Sequence, residues 1–116
     1  MKSITTEEFK EKILDFDKTP HKYLNKKPTV AKFTAKWCSP CKMMDPILEE
    51  LEKKYEGKIE IFNIDVDREY EAAAAFGVRS IPNMVLIPID GAEPERMVGA
   101  LPKKNLEDAI RRVFKI

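Results

Sequence analysis

Histidine, cysteine and glycine are scarce in this chain of 116 residues, with one, two and four copies. Since His21 is the only histidine, the chain alone lacks the ligand set that four-coordinate zinc takes. The four scattered glycines make no Gly-rich phosphate loop of the dinucleotide-binding type. Neither sign of charge dominates: 21 Lys and Arg face 20 Asp and Glu, so no basic excess favours nucleic acid or an anionic membrane surface. No apolar run approaches the roughly 20 residues that span a bilayer. The opening residues, Met1-Lys2-Ser3-Ile4-Thr5-Thr6-Glu7-Glu8, are polar and acidic, unlike a secretory signal. A cytoplasmic address is the expectation, and a periplasmic one is the alternative if a leader has been removed.

A hydrophobic share of 43% supports a real core, and the length suits one compact domain that folds without disulfide staples. The two cysteines therefore need no structural role. No internal repeat or low-complexity tract is present. Helical and strand patterns alternate, which argues for an α/β fold.

Thr5 with Glu8 three residues on makes a capping box, and Ile4 with Phe9 a hydrophobic staple. They predict a first helix, with Phe9, Ile13 and Phe16 on one face, ending near Asp17. Residues 17–28 read as a polar connection. Thr29 to Ala35 reads as a central strand covered on both faces. A long helix is predicted from about Cys38 to Glu56, with an apolar stripe of Met44, Ile47, Leu48, Leu51 and Tyr55, Gly57 to stop it and Pro46 to kink it. Strand Ile59 to Ile64, helix Tyr70 to Phe76 ended by Gly77, and strand Met84 to Ile87 follow. Asp90-Gly91 marks a turn into a strand around Arg96 to Val98. A last helix runs from about Lys103, where Pro102 leaves no side-chain cap. The expected order is β-α-β-α-β-α-β-β-α: parallel strands joined by helices, then an antiparallel hairpin, in a mixed sheet with helices on both faces.

The chemistry concentrates in Lys36-Trp37-Cys38-Ser39-Pro40-Cys41-Lys42, between a core strand and a helix. A thiolate is the reactive form of cysteine, and a helix N-terminus offers unpaired N–H groups and a positive dipole end to Cys38. Two intervening residues place Cys41 one turn along, within disulfide reach. Cys38 is expected to be partly exposed and to attack a disulfide, and Cys41 to be covered and to resolve the mixed disulfide. Pro40 lacks an N–H where a helix needs none, and its fixed φ helps hold the pair. A zinc half-site shared with a second chain and two inert buried cysteines are the other readings. A C-x-x-C beside a βαβ pattern favours redox chemistry. His21 reads as solvated, and Asp65 and Asp67 as caps of the helix that follows them. Met43 and Met44 suit core packing or a groove wall better than copper.

Over nearly its whole length the chain resembles thioredoxins. The matching segments are Phe33-Thr34-Ala35-Lys36-Trp37-Cys38-Ser39-Pro40-Cys41-Lys42, Asn63-Ile64-Asp65-Val66-Asp67, Phe76-Gly77-Val78-Arg79-Ser80-Ile81-Pro82 and Val98-Gly99-Ala100-Leu101. The resemblance implies one thioredoxin-like domain over residues 1–116, a central mixed sheet of four to five strands, and reduction of protein disulfides through Cys38 and Cys41 with no bound cofactor. It implies a cis Ile81–Pro82 bond and a shallow groove in which Trp37, Ser39, Pro40, Ile81, Pro82, Gly99 and Ala100 meet the substrate. It also implies disulfide-containing client proteins, an NADPH-dependent flavoprotein reductase as electron donor, and a monomer.

Two departures stand out. Ser39-Pro40 replaces the usual glycine and proline between the cysteines. Thioredoxins usually carry a buried Asp six residues before the first cysteine, where this chain has Lys32; its family Lys partner aligns with Ile61. A buried ammonium is costly, so either its pKa falls or it has a partner. Lys32 either assists proton transfer at Cys41, or snorkels or pairs with an acid and does no chemistry. Three functions compete: a general reductant; an exported oxidant, isomerase or dedicated reductant; and a non-catalytic partner-binding module on the same fold.

Overall fold

The computed structural model describes residues 1–116. Its centre is a five-stranded mixed sheet built from β1 (Lys2–Ser3), β4 (Thr29–Thr34), β5 (Glu60–Asp65), β6 (Asn83–Ile87) and β7 (Glu95–Val98). The spatial order is β1-β5-β4-β6-β7; β1 and β4 run parallel to β5, and β6 runs antiparallel to both β4 and β7. The predicted mixed sheet is present with five strands. Its opening strand, to which no residues were assigned from sequence, is the two-residue β1.

Strand alternation divides the core in two. Val30, Ile61, Met84 and Leu86 face the helices α2 (Ser39–Lys54) and α4 (Lys103–Phe114), meeting Met44, Leu48, Leu51, Leu106 and Ile110. Ala31, Phe33, Ile64, Val85 and Ile87 face the other way, toward α1 (Thr6–Lys12) and α3 (Tyr70–Ala75). β4 is therefore buried on both faces, as its apolar run predicts.

The first helix departs from expectation. Its N-terminal capping box forms in full, Thr5 Oγ1 accepting from the Glu8 N–H at 3.1 Å and Glu8 Oε1 from the Thr5 N–H at 3.0 Å. The helix nevertheless stops at Lys12 instead of near Asp17. Leu14–Asp15 (β2) pairs antiparallel with Lys22–Tyr23 (β3), and the Ile13 carbonyl accepts from the Leu24 and Asn25 N–H groups at 2.8 and 3.1 Å. The stretch 17–28 thus holds a strand, so it is more than a polar connection.

α3 ends in a Schellman motif. The Val78 N–H donates to the Ala73 carbonyl at 2.9 Å and the Gly77 N–H to Ala74 at 3.0 Å, with Gly77 at φ 62°. A side chain there would also meet the Arg96 guanidinium, which donates to the Phe76 carbonyl. This stop turns the chain toward Ile81 and Pro82.

α4 begins without a side-chain cap, as predicted, and docks on α2 through a polar cluster. The Lys54 ammonium and the Tyr55 hydroxyl both lie 2.6 Å from Glu107 Oε2. Lys54 chiefly, and then Tyr55, hold the Glu107 carboxyl below its ordinary range. A depressed carboxylate stabilises the fold above its unfolded pKa of about 4.3, and that stability is lost as pH falls through the lower folded value. Glu107→Gln is expected to lower the thermal midpoint at neutral pH. The gap to the parent chain should close as unfolding is followed below about pH 4.

Candidate active site

β4 delivers the site. After Thr34 the chain turns once, with the Cys38 N–H donating to the Ala35 carbonyl at 3.2 Å, and α2 starts at Ser39. Cys38 is the N-cap, in extended conformation at φ −91°, ψ 104°. Its Sγ accepts the Cys41 N–H at 3.2 Å, filling the role a hydroxyl or carboxylate oxygen takes at most helix starts. Ser39 and Pro40 occupy the first two helical positions, so the missing Pro40 N–H costs no helical hydrogen bond. No acidic side chain stands in the first turn of α2, so nothing there opposes negative charge on the Cys38 sulfur.

Cys38 and Cys41 are joined in a disulfide, with Cα atoms 5.3 Å apart. Cys41 is fully buried, as expected. Cys38 is 4% exposed, where partial exposure was expected. The N-cap geometry turns its sulfur inward onto the Cys41 N–H, and the pair packs with Ala35, Val66 and Ile81.

Trp37 is 69% exposed and so is no core residue. Its indole Nε1 donates to Asp67 Oδ2 at 2.8 Å, tying the ring to the β5–α3 loop. This overturns the reading of Asp65 and Asp67 as helix caps. The cap of α3 is Glu69, with no side-chain bond to the helix. Asp65 Oδ1 accepts from the Asp67 N–H at 2.9 Å, closing a turn that aims the Asp67 carboxylate at the indole.

Ile81–Pro82 is cis, as the resemblance implies, and Ile81 packs against the cysteine pair. The Gly99 N–H donates to the Pro82 carbonyl at 2.8 Å from φ 92°, a conformation that requires glycine. Beyond the exposed Ala100, the Leu101 N–H reaches Met44 Sδ at 3.3 Å, which fastens this loop to α2. Met44 is thus a core residue, and Met43 is exposed. Ser39 and Pro40 are exposed beside the disulfide.

Lys32 is paired with an acid. It is 1% exposed, on the α2 side of β4, and its ammonium binds Oδ1 of Asp45 in α2. The sequence does not single out Asp45, and it suggests for Asp67 another role, that of a helix cap. The signal for Asp45 was its position four residues after Cys41, beside the apolar stripe; Asp67 carried none.

No three His, Cys, Asp or Glu residues are grouped to hold a metal ion. A concavity of about 970 Å³ lies between Thr19–His21, Phe76 and Arg96, with neither cysteine in its lining. His21 is exposed on its wall. Nothing in that hollow matches the chemistry of two paired sulfurs at a helix N-terminus.

A family profile described as Thioredoxin matches residues 1–112. Thioredoxin of Borreliella burgdorferi is 38% identical over 113 residues, covering 97% of this chain and 96% of its own. Thioredoxin 1 of a Nostoc species is 32% identical over 109 residues, covering 94% and 92%. Thioredoxin of Staphylococcus saprophyticus is 45% identical over 80 residues, covering 69% and 76%. Profile, relatives and sulfur geometry agree, and the chain belongs to the thioredoxin family of thiol–disulfide oxidoreductases.

Proposed function

We propose that the chain is a general reductant of protein disulfides, with Cys38 as the attacking sulfur and Cys41 as the resolving one. The observation that carries this division is the Cys41 N–H aimed at Cys38 Sγ from inside the first turn of α2. A donor held there favours charge on sulfur 38, while sulfur 41 has no access to solvent.

The client disulfide docks over Trp37, Ser39, Pro40, Ile81, Pro82, Gly99 and Ala100, adding its backbone beside Ile81 as an extra strand would. The Cys38 thiolate attacks one client sulfur, and the other leaves as a thiolate and takes up a proton. Cys41 then loses its proton and attacks Cys38 Sγ, breaking the bond to the client. Two electrons pass to the client, and the Cys38–Cys41 disulfide remains. An NADPH-dependent flavoprotein reductase returns the dithiol, so the chain carries electrons between that donor and its clients. It works as a monomer, residues 1–116 acting as one domain, in the cytoplasm.

Equilibration of the cysteine pair against glutathione tests the direction of flow. A potential near the ~−270 mV characteristic of thioredoxins is expected, whereas a value between about −180 and −120 mV would make the chain an oxidant or isomerase.

A further inference from the structure

Resolution of the mixed disulfide requires a proton to leave Cys41, which is fully buried. Two ionisable groups stand in the same layer without a part in the mechanism above, Lys32 and Asp45. Asp45 follows Cys41 by four residues in α2, so the two side chains lie one above the other on one helix face. Its carboxylate is turned toward the sheet by the buried Lys32 ammonium, yet its side chain keeps 40% of its surface in water. It therefore stands one helical turn from a dry thiol with one edge in bulk solvent.

We propose that Asp45 accepts the Cys41 proton as the mixed disulfide is resolved, and that Lys32 is the positioning residue that holds its carboxylate in place. The inference rests on the assignment of Cys41 as the resolving sulfur. Charge balance is its physical basis. Sending the proton directly to water would leave an added negative charge among apolar side chains. Passing it to Asp45, directly or through one water molecule, turns thiol and carboxylate into thiolate and carboxylic acid beside a constant ammonium. The cluster's net charge does not change during the step. Once Cys41 has bonded to Cys38, Asp45 releases the proton through its wet edge, and the departing client thiolate is protonated.

No other titratable group in that layer competes. By register Lys32 lies beside Asn63 of β5 and Met84 of β6, neither of which titrates. α4 presents Leu106 and Ile110. Lys42 and Glu49, one turn either side of Asp45, are exposed, and Lys103 at the start of α4 is held by Glu50. On the Cys38 side Asp67 is engaged by Trp37.

An aromatic disulfide that releases a coloured thiolate at each step separates the events in one trace: the first release reports attack by Cys38, the second resolution by Cys41. Two variants of the full chain are compared with the parent from about pH 6 to about pH 9, spanning the ordinary thiol pKa of about 8.5. Asp45→Asn keeps the shape of the acceptor and removes its basicity. The double variant Lys32→Met, Asp45→Ala leaves no orphan charge, so it keeps the fold testable if the single variant does not fold. The expected result is an unchanged first release and a second release slowed about tenfold to a hundredfold near neutral pH, recovering as pH passes the thiol value. An unchanged second release, or one slowed equally at every pH, overturns the proposal. If the parent chain shows no first release, or residue 41 carries the captured thiol, the assignment of the two sulfurs has failed instead.

Discussion

Cys38→Ser is expected to remove disulfide reduction to background, a loss of at least about three orders of magnitude in an insulin reduction assay. Cys41→Ser is expected to fail differently. It should capture one client equivalent as a stable mixed disulfide and stall, visible as a mass increase that dithiothreitol reverses. The asymmetry follows from placement. A serine at 38 can still accept the residue 41 N–H, so helix α2 keeps its cap and the fold survives, but a neutral alcohol is no substitute for a thiolate. A serine at 41 leaves the attacking sulfur and its helix N-terminus intact and deletes only the displacement step. Equal loss without capture in both variants would contradict the division of roles.

The nucleophile and its partner were legible because their chemistry is local. A strand, a C-x-x-C and a helix start follow one another without a break from Thr29 to Cys41, and that order alone places Cys38 at a helix N-terminus. Proline 82 was legible only through family likeness, since no property of Ser80-Ile81-Pro82 by itself selects a cis bond. The partners that come from elsewhere in the chain were not legible. Trp37 meets Asp67 across 30 positions, and Lys32 meets Asp45 across 13. Each depends on how a loop or a helix lies against the sheet, which periodicity does not encode. The inward turn of Cys38 was missed for a related reason. Exposure was inferred from the helix terminus, while the sulfur's own hydrogen bond decides where it points.

The fold shows the same division. Long elements with strong apolar spacing appear within about two residues of their predicted bounds, which is the usual scatter at helix and strand ends. The short ones fail. β1, β2 and β3 hold two residues each, too few to show a period, and their pairing comes from neighbours distant in sequence. The first helix was read too long because Phe9, Ile13 and Phe16 do share helical spacing. All three reach the core, but Ile13 and Phe16 get there from outside the helix, from the turns on either side of β2.

Phe9→Ala is accordingly expected to cost far more than its place on a seven-residue helix suggests: about 3–5 kcal/mol, read as a fall in the denaturation midpoint at constant m-value. A helix this short has little stability of its own, so α1 persists through what it packs against. Phe9 is fully buried, and its ring meets Phe76 edge-on at 5.5 Å and Phe16 at 6.2 Å, with Phe33 of the central strand 6.0 Å beyond Phe76. Truncation removes the transfer energy of a phenyl ring and leaves a cavity shared by α1, α3 and β4. The cavity does not collapse cheaply. The sheet fixes Phe33, and the Schellman turn at Gly77 fixes Phe76. Disulfide reduction per folded molecule should be retained, because Phe9 lies on the α1–α3 face while the sulfurs are carried by α2. A loss below about 1 kcal/mol would mean that α1 docks through its capping box and the Thr6 N–H bond to Glu69 rather than through its aromatic face.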